Sequence, residues 1–120
     1  MEVGQEGHRG LVVWQKAKEL VLQIYAETNK FPQFEVFGLT SQLRRAALSV
    51  PANIAEGKER QYDKEFVQFL YIARGSLAEI EVFLEIAKDL GYLTVGGFNR
   101  LEKQTSEVGK LINGLINSLK

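Results

Sequence analysis

Apolar residues recur at every third or fourth position in four stretches of the chain, and this period predicts four amphipathic α-helices. The stretches begin near residues 11, 40, 63 and 95. The positions that set the four rows are Trp14, Ala17, Val21 and Ile24; Leu39, Leu43, Ala46, Val50 and Ile54; Phe66, Leu70, Ala73, Leu77, Ile80, Leu84 and Ala87; and Phe98, Leu101, Thr105, Val108, Ile112, Leu115 and Leu119. Such helices with short connections are typical of an all-α fold, the antiparallel up-and-down four-helix bundle.

The third stretch carries a second apolar row beside the first, made of Phe69, Ile72, Val82, Phe83 and Ile86. A helix on the surface of a bundle needs only one apolar stripe. Because large apolar patches rarely face water in monomers, the pattern predicts that this helix is either central in the bundle or covered in an oligomer.

Polar residues and glycines predict where the helices begin and end. Thr40 or Ser41 is a candidate cap for the second helix and Asp63 for the third, since short polar side chains accept hydrogen bonds from the first turn. Gly57 and Gly91 are candidates for the left-handed residue that closes a helix.

Proline and phenylalanine residues mark the centre and the approach of the second helix. Pro51 removes one backbone hydrogen bond, so we expect a kink there or two short helices in succession. The preceding connection starts at Phe31-Pro32, which ends the first helix. We expect its three rings, those of Phe31, Phe34 and Phe37, to pack under the bundle.

Composition narrows the class of protein. Fifteen basic and fifteen acidic residues cancel, so the net charge favours no kind of partner, and the absence of cysteine suits a reducing, cytoplasmic compartment. No stretch reaches the ~20 apolar residues that span a bilayer, so we expect no membrane contact. Residues 1–10 are polar and predict a flexible N-terminal tail without a signal-peptide core. Residues 11–120 predict one four-helix-bundle domain.

The groups needed for catalysis are missing from the predicted helices. The only histidine, His8, lies in the polar tail, so the sequence offers neither a two-metal carboxylate site nor a serine triad. Glu81, Glu85 and Asp89 follow one another at intervals of four residues, which indicates a solvated acidic ridge of slightly repelling charges. We expect no enzyme activity, no metal and no cofactor.

Polar residues of the second and third helices allow more than one interpretation. Buried charges are usually paired, which favours a structural network between helices, within one chain or between subunits, of Arg45, Ser49, Asn53, Glu56, Arg74 and Glu79. Alternatively, these groups bind a ligand or a partner chain. The candidates for contacts with phosphates of RNA or DNA are Arg44, Arg45, Lys58 and Arg60. An ordinary solvated helix face would also account for these four cations.

Three runs of the chain, QLRRAALSVPANIAEG, FVQFLYIARGSLAEIE and LGYL, resemble a known family. It is the bacterial four-helix-bundle family encoded by intervening sequences in large-subunit ribosomal RNA genes, whose members are often labelled ribosomal proteins. The resemblance covers about residues 11 to 119, including the Asn53-Ile54-Ala55-Glu56-Gly57 motif and the Gly109-Lys110-Leu111-Ile112-Asn113 run. It implies a homopentameric ring with no cofactor or catalytic residue.

The same resemblance implies kinship with the accessory proteins of diversity-generating retroelements. Those bundles bind nucleic acid and a reverse transcriptase, and they are typically strongly basic, whereas this chain is neutral. The first hypothesis, which rests on the resemblance and on the basic residues of the second helix, is a non-enzymatic, homo-oligomeric binding scaffold that contacts RNA or DNA. The alternative is a protein-interaction or structural assembly module whose interface is the second row of the third helix.

Overall fold

The computed structural model describes residues 7–120, which form four α-helices and two short 3-10 turns, with no strand in this part of the chain. The helices are α1 (Val12–Thr28), α2 (Leu39–Lys58), α3 (Asp63–Asp89) and α4 (Val95–Leu119). Each packs against two others, in the order α1, α2, α3, α4 and back to α1, and α2 with α3 forms the most extensive pair. The predicted all-α, four-helix fold is therefore confirmed.

The four predicted rows supply the core of the bundle. Its largest fully buried side chains come from every helix: Leu20, Ile24, Leu43, Val50, Ile54, Leu70, Ile80, Leu84, Leu101, Thr105, Val108 and Ile112. The hydroxyl of Thr105 is satisfied within its own helix, since it donates to the carbonyl of Leu101 at 2.7 Å. Within residues 7–120, no helix has the length and apolar character needed to cross a membrane.

Two of the predicted helix ends are confirmed. Gly91 has φ +82°, and the amides of Gly91 and Tyr92 bond back to the carbonyls of Lys88 and Ala87, which is the Schellman geometry. The fourth helix starts after Thr94, whose hydroxyl accepts the amide of Gly97 at 2.9 Å.

The predicted caps of α2 and α3 are wrong. Neither Thr40 nor Ser41 caps α2, because the carboxylate of Glu35 accepts the amide of Leu39 instead. Asp63 is the first residue of α3, and the residue at the cap position, Tyr62, makes no side-chain capping bond. The capping group of α2 comes from Glu35 in the preceding connection, so the residues of the helix itself do not reveal it.

The prediction that Gly57 closes α2 is wrong, because Gly57 is a buried residue inside the helix. A Cβ at this position would lie 2.7 Å from the Cβ of Phe69 and 2.8 Å from the ring of Phe66. The glycine is therefore required by the close approach of α3. Pro51 also lies inside one continuous helix, so the prediction of two short helices is wrong. The alternative prediction, a kink at Pro51, stays a prediction.

The aromatic connection before α2 differs from its prediction. Phe31 is buried against the core, whereas Phe34 and Phe37 are 79% and 94% exposed. The prediction that all three rings pack under the bundle is therefore wrong for two of them. Glu35 occupies the inward position between them, because its carboxylate bonds to two groups of the bundle.

Four residues of the predicted N-terminal tail lie within the described part of the chain. Gly7–Gly10 form a 3-10 turn, and its carbonyl at Arg9 accepts a hydrogen bond from the side chain of Gln15 at 2.8 Å. The ring of His8 lies edge-on to Trp14 with 4.7 Å between centroids. The flexible tail predicted for residues 1–6 lies outside the described residues.

Candidate interaction surface

The side of α3 that faces away from the bundle carries an apolar row. Ile72, Val82 and Ile86 are between 43% and 56% exposed, and we call these three residues the outer row. Ile72 and Ile86 are two heptads apart with Glu79 midway, the spacing at which one helix meets another. The outer row is therefore a helix-docking pattern that the chain's own bundle leaves open.

Small polar residues join α2 to α3 beside the outer row. The hydroxyl of Ser76 donates to that of Ser49 at 2.8 Å. The amide of Asn53 donates to the Ser49 carbonyl at 2.8 Å and to its hydroxyl at 3.0 Å. These contacts fix the register of the two helices, and small side chains let the helices approach closely there.

A groove of about 330 Å³ runs over this contact and is lined by Gln42, Arg45, Ala46, Ser49, Ser76 and Glu79. We call it the α2–α3 groove. Arg45 and Glu79 are exposed on its two sides, and within residues 7–120 neither forms an ion pair or a side-chain hydrogen bond. Two opposite charges thus flank the groove and remain available to an incoming helix.

The predicted polar network forms only in part. Ser49 and Asn53 do bond to each other, but Arg74 turns to α4, where it donates to the side chain of Asn113 at 3.0 Å. Glu56 accepts a bond from Arg60 at 3.1 Å. Linkage of the two arginines to Glu56 and Glu79 within the chain is therefore wrong, and linkage between subunits stays a prediction.

Arg44, a predicted phosphate contact, is held by its own chain. Its guanidinium donates to the hydroxyl of Thr28 at 2.8 Å and to the side chain of Asn29 at 3.0 Å, and it lies 4.5 Å from the ring centroid of Tyr25. These contacts tie α2 to the end of α1. The role that the structure gives to Arg44 is therefore structural.

The other three predicted cations do not form one surface with Arg44. Arg60 pairs with Glu56 and covers the ring of Phe69, while Arg45 and Lys58 are exposed without an ion-pair partner in the described chain. Arg44 and Lys58 are 14 residues apart on one helix, or about 21 Å along its axis. The local basic bias of the sequence is thus spread along α2.

One exposed apolar residue of this surface was not identified from the sequence. Leu48 is 47% exposed on α2, and its position off the predicted α2 row was the available signal. No group of three or more histidine, aspartate or glutamate side chains within residues 7–120 could hold a metal ion.

Known proteins resemble this chain in sequence and in fold. A family model described as 23S rRNA-intervening sequence protein matches residues 9–114. A similar solved structure is that of a Bacteroides thetaiotaomicron protein described as of unknown function and from the S23 ribosomal protein family. Its sequence is 26% identical, and the match has a TM-score of 0.78 and covers 88% of this chain and 98% of that one. No curated protein matches the chain. The chain belongs to the 23S rRNA-intervening sequence protein family.

Proposed function

We propose that the protein is a non-enzymatic scaffold that assembles with copies of itself through the outer face of α3. The outer row carries this proposal, because three large apolar side chains at helix-docking spacing face water in a single chain. Large apolar side chains that face water on one side of a helix mark an interaction site. The homopentameric ring implied by the family resemblance is the assembly that we propose.

The α2–α3 groove supports the same proposal. Its floor is built from small residues, which let a second helix approach closely. The free charges of Arg45 and Glu79 on its rim give a neighbouring copy a cation and a carboxylate to pair with. Charges of this kind set the register and the partner more than the affinity.

The molar mass of the purified protein in solution tests the proposal. Sedimentation equilibrium is expected to give a multiple of the 13.5 kDa chain, five for the proposed ring. Val82→Lys is expected to dissociate the assembly, because it places a charge in the apolar interface. Leu22→Lys is the matched control on α1, since Leu22 is similarly exposed but lies outside the outer row.

Three outcomes would count against the proposal. A monomer at high micromolar concentration would contradict self-assembly. A wild-type mass that Val82→Lys leaves unchanged would place the interface elsewhere. An assembly with another number of copies would keep the scaffold and contradict the ring.

Contact with RNA or DNA is the second candidate function, and the exposed cation Lys58 favours it, with Arg45 contributing where the assembly leaves it uncovered. In a ring, each would be repeated in every copy, so modest charges would add up. Phosphate contacts weaken steeply with salt, whereas apolar contacts do not. The family resemblance also implies a protein partner, such as a reverse transcriptase, that would bind alongside the nucleic acid.

Titration of structured RNA and duplex DNA across a salt series tests this second function. Saturable binding is expected to fall with salt and to be lost in Arg45→Ala/Lys58→Ala, but kept in Lys103→Ala, an exposed cation of α4. Absence of binding at low salt, in a protein that still assembles, would leave the scaffold without a nucleic-acid role.

A further inference from the structure

The connection between α1 and α2 presents two phenylalanine rings to water. Phe34 and Phe37 are the most exposed large apolar residues among those described, at 79% and 94%, and Val36 between them is also exposed. Exposing aromatic rings is costly, since each can bury ~150–250 Å². Neither ring belongs to the outer row or to the α2–α3 groove, so the proposed assembly does not account for them.

The connection is held rigidly in this conformation. Glu35 lies between the two rings and turns inward, where one carboxylate oxygen accepts the amide of Leu39 at 3.0 Å and the other accepts the hydroxyl of Tyr92 at 2.8 Å. The ring of Phe31 packs 5.4 Å from that of Tyr92. At Gly38 a Cβ would lie only 2.6 Å from the Glu35 carboxylate.

The hydrogen bond between Tyr92 and Glu35 depends on the phenol keeping its proton. The bond to the Glu35 carboxylate, followed by desolvation and by the nearby negative charge, raises the pKa of Tyr92 above its usual value. A phenol keeps its proton at neutral pH even at its ordinary pKa, and the raised pKa of Tyr92 extends this donor form to more alkaline pH. A connection whose backbone is fixed before binding loses less conformational entropy when a partner arrives.

Further apolar residues lie at the same end of the bundle, on the connection between α3 and α4. Leu90 is 54% and Val95 is 70% exposed, and Tyr92 between them carries the bond to Glu35. The two connections are thus joined to each other. Together they place the rings of Phe34 and Phe37 and the side chains of Leu90 and Val95 at one end of the molecule, which we call the loop end.

Four cations near the loop end are engaged by the chain itself. Lys30 and Arg100 both pair with Glu27, at 3.6 and 2.6 Å. Arg44 bonds to the end of α1, and Lys88 lies 4.5 Å from the ring centroid of Phe98. Their donors are directed at groups of the same molecule.

The carboxylates next to Leu90 differ from these cations. Glu85 and Asp89 are exposed on the last turns of α3 and form no ion pair or side-chain hydrogen bond within residues 7–120. They are four residues apart, where like charges repel slightly. A cation from outside would relieve this repulsion, whereas an anionic lipid or a nucleic acid would add to it.

We propose that the loop end is a docking site for a basic amphipathic helix of another protein. The apolar side of that helix contacts the rings of Phe34 and Phe37, and its lysine or arginine side chains pair with Glu85 and Asp89. A second copy of this chain is a poorer occupant, because it would bring two more free carboxylates together with the free cation Arg45 of α2.

The size of the loop end fits a short partner segment. The two rings together expose on the order of 300 Å², well below the ~800 Å² that each side of a stable protein–protein interface buries. They can act as anchors for one helix, since aromatic residues often carry most of the energy of an interface. The expected complex is therefore reversible.

Titration with a labelled, helix-forming peptide of leucine, alanine and lysine tests this proposal. Fluorescence anisotropy is expected to show binding that Phe34→Ser/Phe37→Ser weakens about tenfold or more and that Glu85→Gln/Asp89→Asn also weakens. Both rings are exposed, so the serine variant is expected to fold. The matched controls, Leu22→Ser on α1 and Glu102→Gln on α4, are expected to leave binding unchanged.

Other occupants give different results in the same experiment. Equal binding of a peptide with glutamate in place of lysine, or equal binding by the serine variant, would overturn the proposal. Binding to phosphatidylcholine–phosphatidylglycerol vesicles that is lost in the serine variant would indicate a lipid surface instead. A fall in molar mass in that variant would make the loop end a contact between copies. The result is independent of Val82→Lys, which tests the assembly itself.

Discussion

The two sides of the α2–α3 pair contain the same kinds of residue in opposite surroundings. Ile80 is fully buried on the inner side of α3, whereas Ile86, six residues later, is 43% exposed on the outer side. Gly57 of α2 and Gly75 of α3 form a similar pair, and so do Arg44 and Arg45, which are both on α2. The inner residues are explained by the fold of one chain, and the outer ones are not. The exposed residues on the outer side therefore mark the surface that a partner is expected to cover.

The largest difference is expected between the two isoleucines. Ile80→Ala leaves a cavity in a fully packed core and is expected to lower the free energy of unfolding by about 2–5 kcal/mol in urea denaturation. Ile86→Ala is expected to cost far less in dilute, dissociated protein and to cost more as concentration rises, because only the assembly buries it. Equal losses at low concentration would remove the distinction between the two sides.

The glycine pair is expected to respond with opposite signs. Gly57→Ala places a methyl group against Phe66 and Phe69 and is expected to destabilise the chain by about 1–3 kcal/mol. A Cβ at Gly75 meets no atom within 4 Å, so Gly75→Ala is expected to stabilise the dissociated chain by roughly 0.5–1 kcal/mol. Thermal unfolding at low concentration measures both. A destabilising Gly75→Ala would contradict an open outer side.

The arginine pair separates a structural cation from a free one. Arg44→Ala removes two hydrogen bonds and the contact with Tyr25, and it is expected to cost about 1–2 kcal/mol of unfolding free energy. Arg45→Ala removes no contact within the chain and is expected to change unfolding little, while weakening assembly or nucleic-acid binding. A large loss of stability in the dissociated Arg45→Ala chain would show that Arg45 is structural.

The smallest difference is expected between Thr94, which caps α4, and Asp63, which lies in the first turn of α3 without capping it. Thr94→Ala removes the bond to the amide of Gly97 and is expected to cost about 1 kcal/mol. Asp63→Ala removes only a favourable charge in the first turn, worth a few tenths of a kcal/mol or somewhat more. Denaturant midpoints at matched protein concentration would resolve them. A larger effect at Asp63 would imply a contact that the single chain lacks.

The helices and the core could be predicted because both depend on local periodicity. Rows at intervals of three and four residues do not depend on the arrangement of the helices, so the sequence alone predicts that Leu70, Ile80 and Leu101 belong to the core. The second row of α3 was also visible in the sequence, and the structure leaves three of its members exposed.

The remaining features depend on contacts between distant residues. The bond from Tyr92 to Glu35 joins residues 57 positions apart, and no periodicity indicates it. Arg44 and Arg45 are neighbours in sequence, but one helical step directs the first toward α1 and the second toward the α2–α3 groove. A basic run in a helix therefore does not predict a basic surface.

The accessibility of position 82 in the assembled protein tests the central claim most directly. The chain contains no cysteine, so Val82→Cys and the control Leu22→Cys each introduce a single reactive thiol. The rate of alkylation at Val82→Cys is expected to be low in concentrated protein and to rise on dilution, while that at Leu22→Cys stays high throughout. Equal and concentration-independent rates at both positions would contradict assembly through the outer face of α3.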